Sequence, residues 1–321
     1  MKRFKLTAVV TLCLILVGIP FAIAAEKPLS EITIGITGFN FGVDSYQTTY
    51  ENAFENYCKE LGVNYIKLDP KGDAALQSNQ VEDLIQKKVD VILVWPVSGK
   101  AVVPALRKAK EAGIPVLATN SSVDKSGNEL IAGFCGPNNI IQGEYAADMM
   151  NEARGGKKVK TVEIMGTPGY VTAMLRSQGF HTQVEKKYPN IEIVETQPGN
   201  WDRNKSQKVM ENFLVKYGPE DFDAVYVADD NMGMGAINAL KMNMRLQDVV
   251  ITSACMFGEG YDAIKRGELY GSVYQSPVDD AKIAIDTAIK VARGEEIPFY
   301  NYFDTPPVTK SNIDKFDKPP F

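Results

Sequence analysis

The chain has 321 residues, 45% of them hydrophobic and 23% charged, a globular composition that excludes a disordered, collagen-like or small disulfide-stapled protein. Thirty-five Lys and Arg against 40 Asp and Glu give a net charge of −5, with no basic excess to suggest a nucleic-acid partner. A single histidine, His181, excludes a multi-histidine metal centre, and no metal or cofactor is expected.

The first 25 residues differ from the rest. Lys2, Arg3 and Lys5 precede an apolar run from Leu6 to about Ile23, which small residues close at Ala22, Ala24 and Ala25. This is the layout of a secretory signal peptide cleaved after Ala24 or Ala25, and it predicts a periplasmic mature protein. Cleavage removes three positive charges and no negative ones, leaving −8. Three cysteines then remain, Cys58, Cys135 and Cys255, so at least one is unpaired. Cys58 shares an apolar helix face with Phe54 and Leu61 and reads as a small buried hydrophobe.

From Ile32 the pattern alternates. Ile32–Thr37 reads as a strand, Tyr50, Ala53, Phe54, Cys58 and Leu61 recur at helical spacing, and Gly62 supplies a stop. Val63–Leu68, Val91–Trp95 and Ile114–Thr119 read as strands, with helices near 74–88 and 101–112 between them. The alternation restarts with strands Val159–Met165, Ile191–Glu195, Ala224–Ala228, Val249–Ser253 and Tyr270–Gln275. Helices are expected over 171–188 and 203–217, from about Asp230 and Gly258, and over 277–293. Two consecutive series of βα units predict an α/β protein of two doubly wound parallel-sheet lobes.

Such sheets bind ligands beyond the carboxyl ends of their strands. Here those ends are polar or aromatic: Gly38-Phe39-Asn40-Phe41, Thr119-Asn120-Ser121, Asp229-Asp230-Asn231 and Gln275. A cleft with carboxylates, amides and aromatic planes suits a neutral, hydroxyl-rich solute. Of the adjacent pair, Asp230 is expected to cap its helix while Asp229 faces the cleft. Gly233-Met234-Gly235 lacks the third glycine of a dinucleotide fingerprint and reads as small residues that let a helix pack on its sheet. Gly155-Gly156-Lys157-Lys158 lacks phosphate-loop spacing and reads as a surface turn. No serine nucleophile elbow is present, and His181 reads as a surface residue, so no catalytic residue is assigned.

Taken in order, Ile32–Thr37, Gly113-Ile114-Pro115-Val116, Gly166-Thr167-Pro168-Gly169, Trp201-Asp202 and Ala228-Asp229-Asp230-Asn231-Met232 with Gly235-Ala236 form a specific set. With the leader, they make residues 31 to about 310 resemble the periplasmic sugar-binding proteins of the ribose and glucose/galactose type, which deliver solutes to ABC importers. The resemblance implies a ligand site at Asp44, Tyr46, Asn120, Tyr170, Thr172, Arg176, Trp201, Asp229 and Gln275. Asn40 and Phe41 join them from the first strand end. In this scheme Tyr46 and Trp201 stack on a sugar, Arg176 and the carboxylates bind hydroxyls, and the Asn120 amide donates and accepts. It also implies chain crossings near Cys135, Ser276 and Asp304, so that 26–135 plus 277–304 form one lobe and 136–276 plus 305–321 the other. The expected partners are a monosaccharide or polyol and the membrane permease of an ABC-type importer.

Two departures argue against ribose itself. The family's usual aspartate after the strand at 249–253 is replaced by Ser253-Ala254-Cys255, and an Asp-Arg pair by Asn120-Ser121. A ligand-sensing partner of a membrane receptor shares fold and site with this reading, a secreted glycoside hydrolase would need only two carboxylates, and a sugar-responsive repressor conflicts with the leader.

Overall fold

A computed structural model describes residues 26–321; the predicted signal peptide, residues 1–25, lies outside the described residues. Two six-stranded sheets form the frame. The first contains β1 (Thr33–Thr37), β2 (Asn64–Leu68), β3 (Val91–Val94), β4 (Val116–Thr119), β5 (Gly133–Gly136) and β11 (Tyr300–Tyr302), in the order β11-β5-β4-β3-β1-β2, all parallel. The second contains β6 (Val159–Met165), β7 (Ile191–Pro198), β8 (Ala224–Val227), β9 (Val250–Ser253), β10 (Gly271–Val273) and β12 (Pro307–Thr309), in the order β12-β10-β9-β8-β6-β7. Only β12 runs antiparallel to its neighbour.

Nine helices among the described residues cover both faces of both sheets: α1 (Ser45–Leu61), α2 (Ala74–Gln86), α3 (Val103–Glu111), α4 (Asn139–Ala153), α5 (Val171–Lys187), α6 (Arg203–Lys216), α7 (Asp230–Met242), α8 (Gly258–Arg266) and α9 (Pro277–Ala292). The central strands β3, β4 and β8 are buried throughout, as sheets covered on two sides require. On the first sheet, α1 and α9 bury Tyr50, Phe54 and Ile285 against one face, and α2 and α3 bury Leu84 and Leu106 against the other. On the second, α6, α7 and α8 bury Met210, Phe213 and Leu240, while α4 and α5 bury Met150 and Phe180.

Short polar side chains start many of these helices just past the strand ends. Asp44, Asp73, Asn138, Asp202, Asp229 and Ser276 each accept a backbone N–H of the first turn. The chain passes between sheets three times, between β5 and α4, between β10 and α9, and between β11 and β12.

Four elements escape the sequence patterns. β5 is a four-residue strand, Gly-Phe-Cys-Gly, and β11 and β12 are three residues each, too short for a period to register. α4 buries Asn139, Gln142 and Gly143 ahead of Ala146, Ala147, Met149 and Met150, so only the later part of its inward stripe is apolar. A Cβ on Gly143 would overlap the carbonyl oxygen of Arg176, and one on Gly179 would overlap that of Ile140, so reciprocal glycines bring α4 and α5 into backbone contact. Gly235 is pressed against the Arg203 carbonyl of α6, a helix–helix contact and not the helix–sheet packing expected for the Gly233–Gly235 pair. Gly233 has open space around it.

This difference is testable by urea unfolding. Gly143→Ala should cost about 3 kcal/mol by overpacking, whereas Gly233→Ala should be neutral or gain up to about 1 kcal/mol from helix propensity.

Candidate ligand-binding site

The carboxyl ends of the two sheets face one another across a cavity of about 800 Å³, within the size range of small-molecule sites. The first sheet contributes Phe39, Asp44, Tyr46, Trp95 and Asn120, and the second Thr167, Tyr170, Thr172, Arg176, Trp201, Asp229 and Gln275. Nine of the eleven residues expected from the sequence therefore line one cavity. Asn40 and Phe41 do not. The Asn40 backbone N–H donates to Gln47 at 3.1 Å, and the Phe41 ring folds back over Gly38, with Lys67 above it, so Phe39 takes the position facing the cavity.

Arg176 projects from α5 and is almost wholly buried. Its Nε donates to Gln142 Oε1 at 2.8 Å and to Asn139 Oδ1 at 3.2 Å, both on α4. Nη1 donates to the Ala228 carbonyl at 2.8 Å and Nη2 to Gln275 Oε1 at 2.7 Å. A guanidinium carries five N–H groups, so one N–H on each Nη is left over for the cavity. The guanidinium also lies 5.8 Å from the centre of the Trp201 ring.

Gln275 continues this network across the crossing into α9. Its Nε2 donates to Tyr46 Oη at 2.7 Å, Tyr46 Oη donates to Asp280 Oδ2 at 2.9 Å, and Asn120 Nδ2 donates to the same oxygen at 2.6 Å. Tyr46 is thus a buried relay, edge-on to Trp95 at 6.2 Å, and not the open stacking surface expected of it. Asp280 was not foreseen. It follows the interlobe crossing on α9, where nothing in a helical spacing distinguishes a carboxylate turned inward from one in water.

Of the two adjacent aspartates, Asp229 faces the cavity as expected, while Asp230 does not take the capping role expected of it. Asp229 is itself the cap of α7, accepting from Met232 N at 2.7 Å, and also lines the cavity. Asp230 turns away from it into the second lobe, where it accepts from Ser253 Oγ, from Ser272 Oγ at 2.7 Å and from Phe257 N at 3.1 Å. Ser253, the last residue of β9, serves this buried carboxylate.

Left-handed backbone collects at the cavity. Asn120, Asn200, Trp201 and Cys255, none of them glycine, have φ between 57° and 62°, and all four line it. Gly166 lets the Trp201 ring lie flat on the β6 end, because a Cβ there would collide with the indole. Trp95, just past the end of β3, also lines the cavity and donates from Nε1 to Tyr170 Oη at 2.8 Å, a direct bond between elements of the two sheets. Phe257 and Phe321 complete the aromatic wall. Cys58, Cys135 and Cys255 are all buried and unpaired. His181 is part-exposed on α5 and pairs with buried Glu163 at 2.6 Å.

Two doubly wound lobes with a ligand-sized cavity between their strand ends define a solute-binding protein of the periplasmic type. A periplasmic binding protein domain model matches residues 34–296, and the chain belongs to that family. It is 33% identical to a putative rhizopine-binding protein of Rhizobium meliloti, over 94% of this chain and 97% of that one. It is 29% identical to the ribose import binding protein of Bacillus subtilis, over 83% of this chain and 84% of that one. Among solved structures, an ABC transporter solute-binding protein of Mycobacterium smegmatis with bound glycerol matches with a TM-score of 0.79 and 31% identity, over 88% of this chain and 96% of that one. One from Actinobacillus succinogenes with bound D-allose also gives 0.79, at 26% identity, over 89% of this chain and all of that one.

Burial pushes Asp229 up to about 6, against the pull of the Met232 N–H and the Arg176 guanidinium. It pushes Asp280 up to about 7, against the hydrogen bonds from Asn120 and Tyr46. An acid whose folded value is raised binds its proton more tightly in the native state. Its penalty is absent below the unfolded value near 4 and grows as pH rises toward the folded value. Ligand-free stability should therefore fall between about pH 4 and pH 7. Asp280→Asn keeps an acceptor for Asn120 and Tyr46 and cannot ionise. Its melting temperature, followed across that range, should decline less steeply than that of the parent.

Proposed function

We propose that the protein captures a monosaccharide or related polyol between two closing lobes outside the cytoplasm and delivers it to an ABC-type importer. The observation that carries this reading is the pairing, within one cavity, of aromatic rings with hydrogen-bonding groups drawn from the strand ends of both sheets. Sugar C–H faces pack on aromatic π-faces, while hydroxyls need both donors and acceptors. Trp201 and Tyr170 supply the former. The free N–H groups of Arg176, the carboxylates of Asp44 and Asp229, and the amides of Asn120 and Gln275 supply the latter. The bound glycerol and D-allose of related solute-binding proteins support the same class of ligand.

Residues 26–135 with 277–304 and 136–276 with 305–321 would move as the two bodies, hinging at the three crossings. Closure is driven only by what the ligand gains from the second lobe, because equal affinity for open and closed forms shifts nothing. Binding and release without turnover suffice for this role, and a permease recognises the closed form.

The test is a thermal-shift screen of residues 26–321 against pentoses, hexoses, polyols and nucleosides, followed by calorimetry. A ligand that binds only the native protein raises the melting temperature. A carbohydrate or polyol should do so, and Trp201→Ala should weaken its binding about tenfold or more through loss of the stacking ring. Shifts by another solute class alone would retain the fold and reject the sugar assignment.

A further inference from the structure

The segment that follows β12 returns to the cleft. Phe316 packs on Tyr274 with ring centres 5.6 Å apart, and Lys318 pairs with Asp262 of α8 at 2.6 Å. Pro319 is buried, and the N–H of Gly258, at the start of α8, donates to the Phe321 carbonyl at 2.7 Å. Gly258 makes room for this course, since a Cβ there would stand 2.7 Å from the Pro319 oxygen. The backbone of 316–321 is thus held by the second lobe.

The Phe321 ring reaches further than its backbone. It meets Phe257 edge-on at 5.8 Å and then Tyr46 at 5.6 Å with an interplanar angle of 87°, and so joins the core cluster of the first sheet. It remains partly open and lines the cavity. We propose that Phe321 is a ligand-contacting, specificity-determining residue: its ring walls the cavity between Tyr46 and Phe257 and limits which polyhydroxy ligand fits. The ring is anchored from one lobe and touches the other, so a ligand that draws the lobes together finds it already in place. The nature of the ligand rests on the sugar and polyol reading above; the placement of the wall does not.

Phe321→Ala and the milder Phe321→Leu, made in the full chain, test both parts. Trp95 and Trp201 are the chain's two tryptophans and both line the cavity, so fluorescence reports on this site alone. In ligand-free protein, removing the ring should make acrylamide quench that fluorescence more strongly in both variants; unchanged quenching overturns the wall. By calorimetry, whichever of D-ribose, D-allose, xylitol, glycerol and myo-inositol binds the parent should bind Phe321→Ala about tenfold more weakly. Phe321→Leu should fall between them. Affinity equal to the parent's overturns the contact. If neither these five nor any other carbohydrate or polyol of the thermal-shift screen binds the parent, the sugar and polyol reading fails, and the quenching still decides whether Phe321 walls the site. Phe321→Leu carries the test should Phe321→Ala not fold.

Discussion

Burial of the Arg176 guanidinium is the constraint from which the site is built. A charge taken out of water is tolerated only where its N–H groups find acceptors, and three separate segments supply four of them: Asn139 and Gln142 from α4, the Ala228 carbonyl from the end of β8, and Gln275 from the crossing into α9. Each acceptor must be held in place, so this one side chain fixes the relative positions of α4, α5, the β8 end and an interlobe connection. The glycine contact between α4 and α5 serves the same geometry, because Gly143 lies against the Arg176 backbone itself. A larger residue there would displace the guanidinium from the cavity floor.

From Arg176 the order propagates through Gln275 and Tyr46 to Asp280 and Asn120 in the first lobe. Low dielectric strengthens each of these bonds and makes each unpaired atom costly. One such atom is present, since Asp280 Oδ1 is buried without a partner, and protonation of that carboxyl removes the charge it would otherwise carry. The left-handed backbone at Asn120, Trp201 and Cys255 belongs to the same economy of position. These residues follow their strands in a sparsely populated conformation because the surrounding bonds and packing outweigh the strain, and all three line the cavity.

Much of the architecture was legible because it is periodic. β6 was read at its true limits, and α5 and α9 to within a residue or two, from alternation and from stops such as Gly62. β5 and α4 were not, because a four-residue glycine-flanked strand shows no period and the inner face of α4 opens with Asn139, Gln142 and Gly143 before its apolar residues begin. The site divides in the same way. Arg176, Trp201 and Gln275 are positions that the resemblance to sugar-binding proteins singles out in the sequence. Tertiary placement puts Asp280 in the buried network behind the cavity and Phe321 in its wall, and neither carries a local signal. Asp229 and Asp230 show the limit of reasoning from strand-end alternation: one side chain faces the cavity as expected but also caps the helix, and its neighbour is drawn inward by two hydroxyls and an N–H.

Direct contacts between the lobes have a consequence for selectivity. Trp95 donates to Tyr170, Phe39 meets Tyr170 edge-on at 5.6 Å, and Phe321 meets Tyr46, all without an intervening ligand. These contacts favour the closed arrangement by themselves and so reduce the fraction of closure that a ligand must drive. A ligand can add only what it gains from groups still unsatisfied, namely the spare N–H groups of Arg176 and the open oxygens of Asp44 and Asp229. Solutes that merely fill the space between the rings would bind without much preference for the closed form. On the proposed sugar and polyol reading, those that place hydroxyls against both the Arg176 guanidinium and the α1 end of the cavity would bind closed protein selectively, so that the spacing of hydroxyls across the ligand, more than its size alone, would decide selectivity.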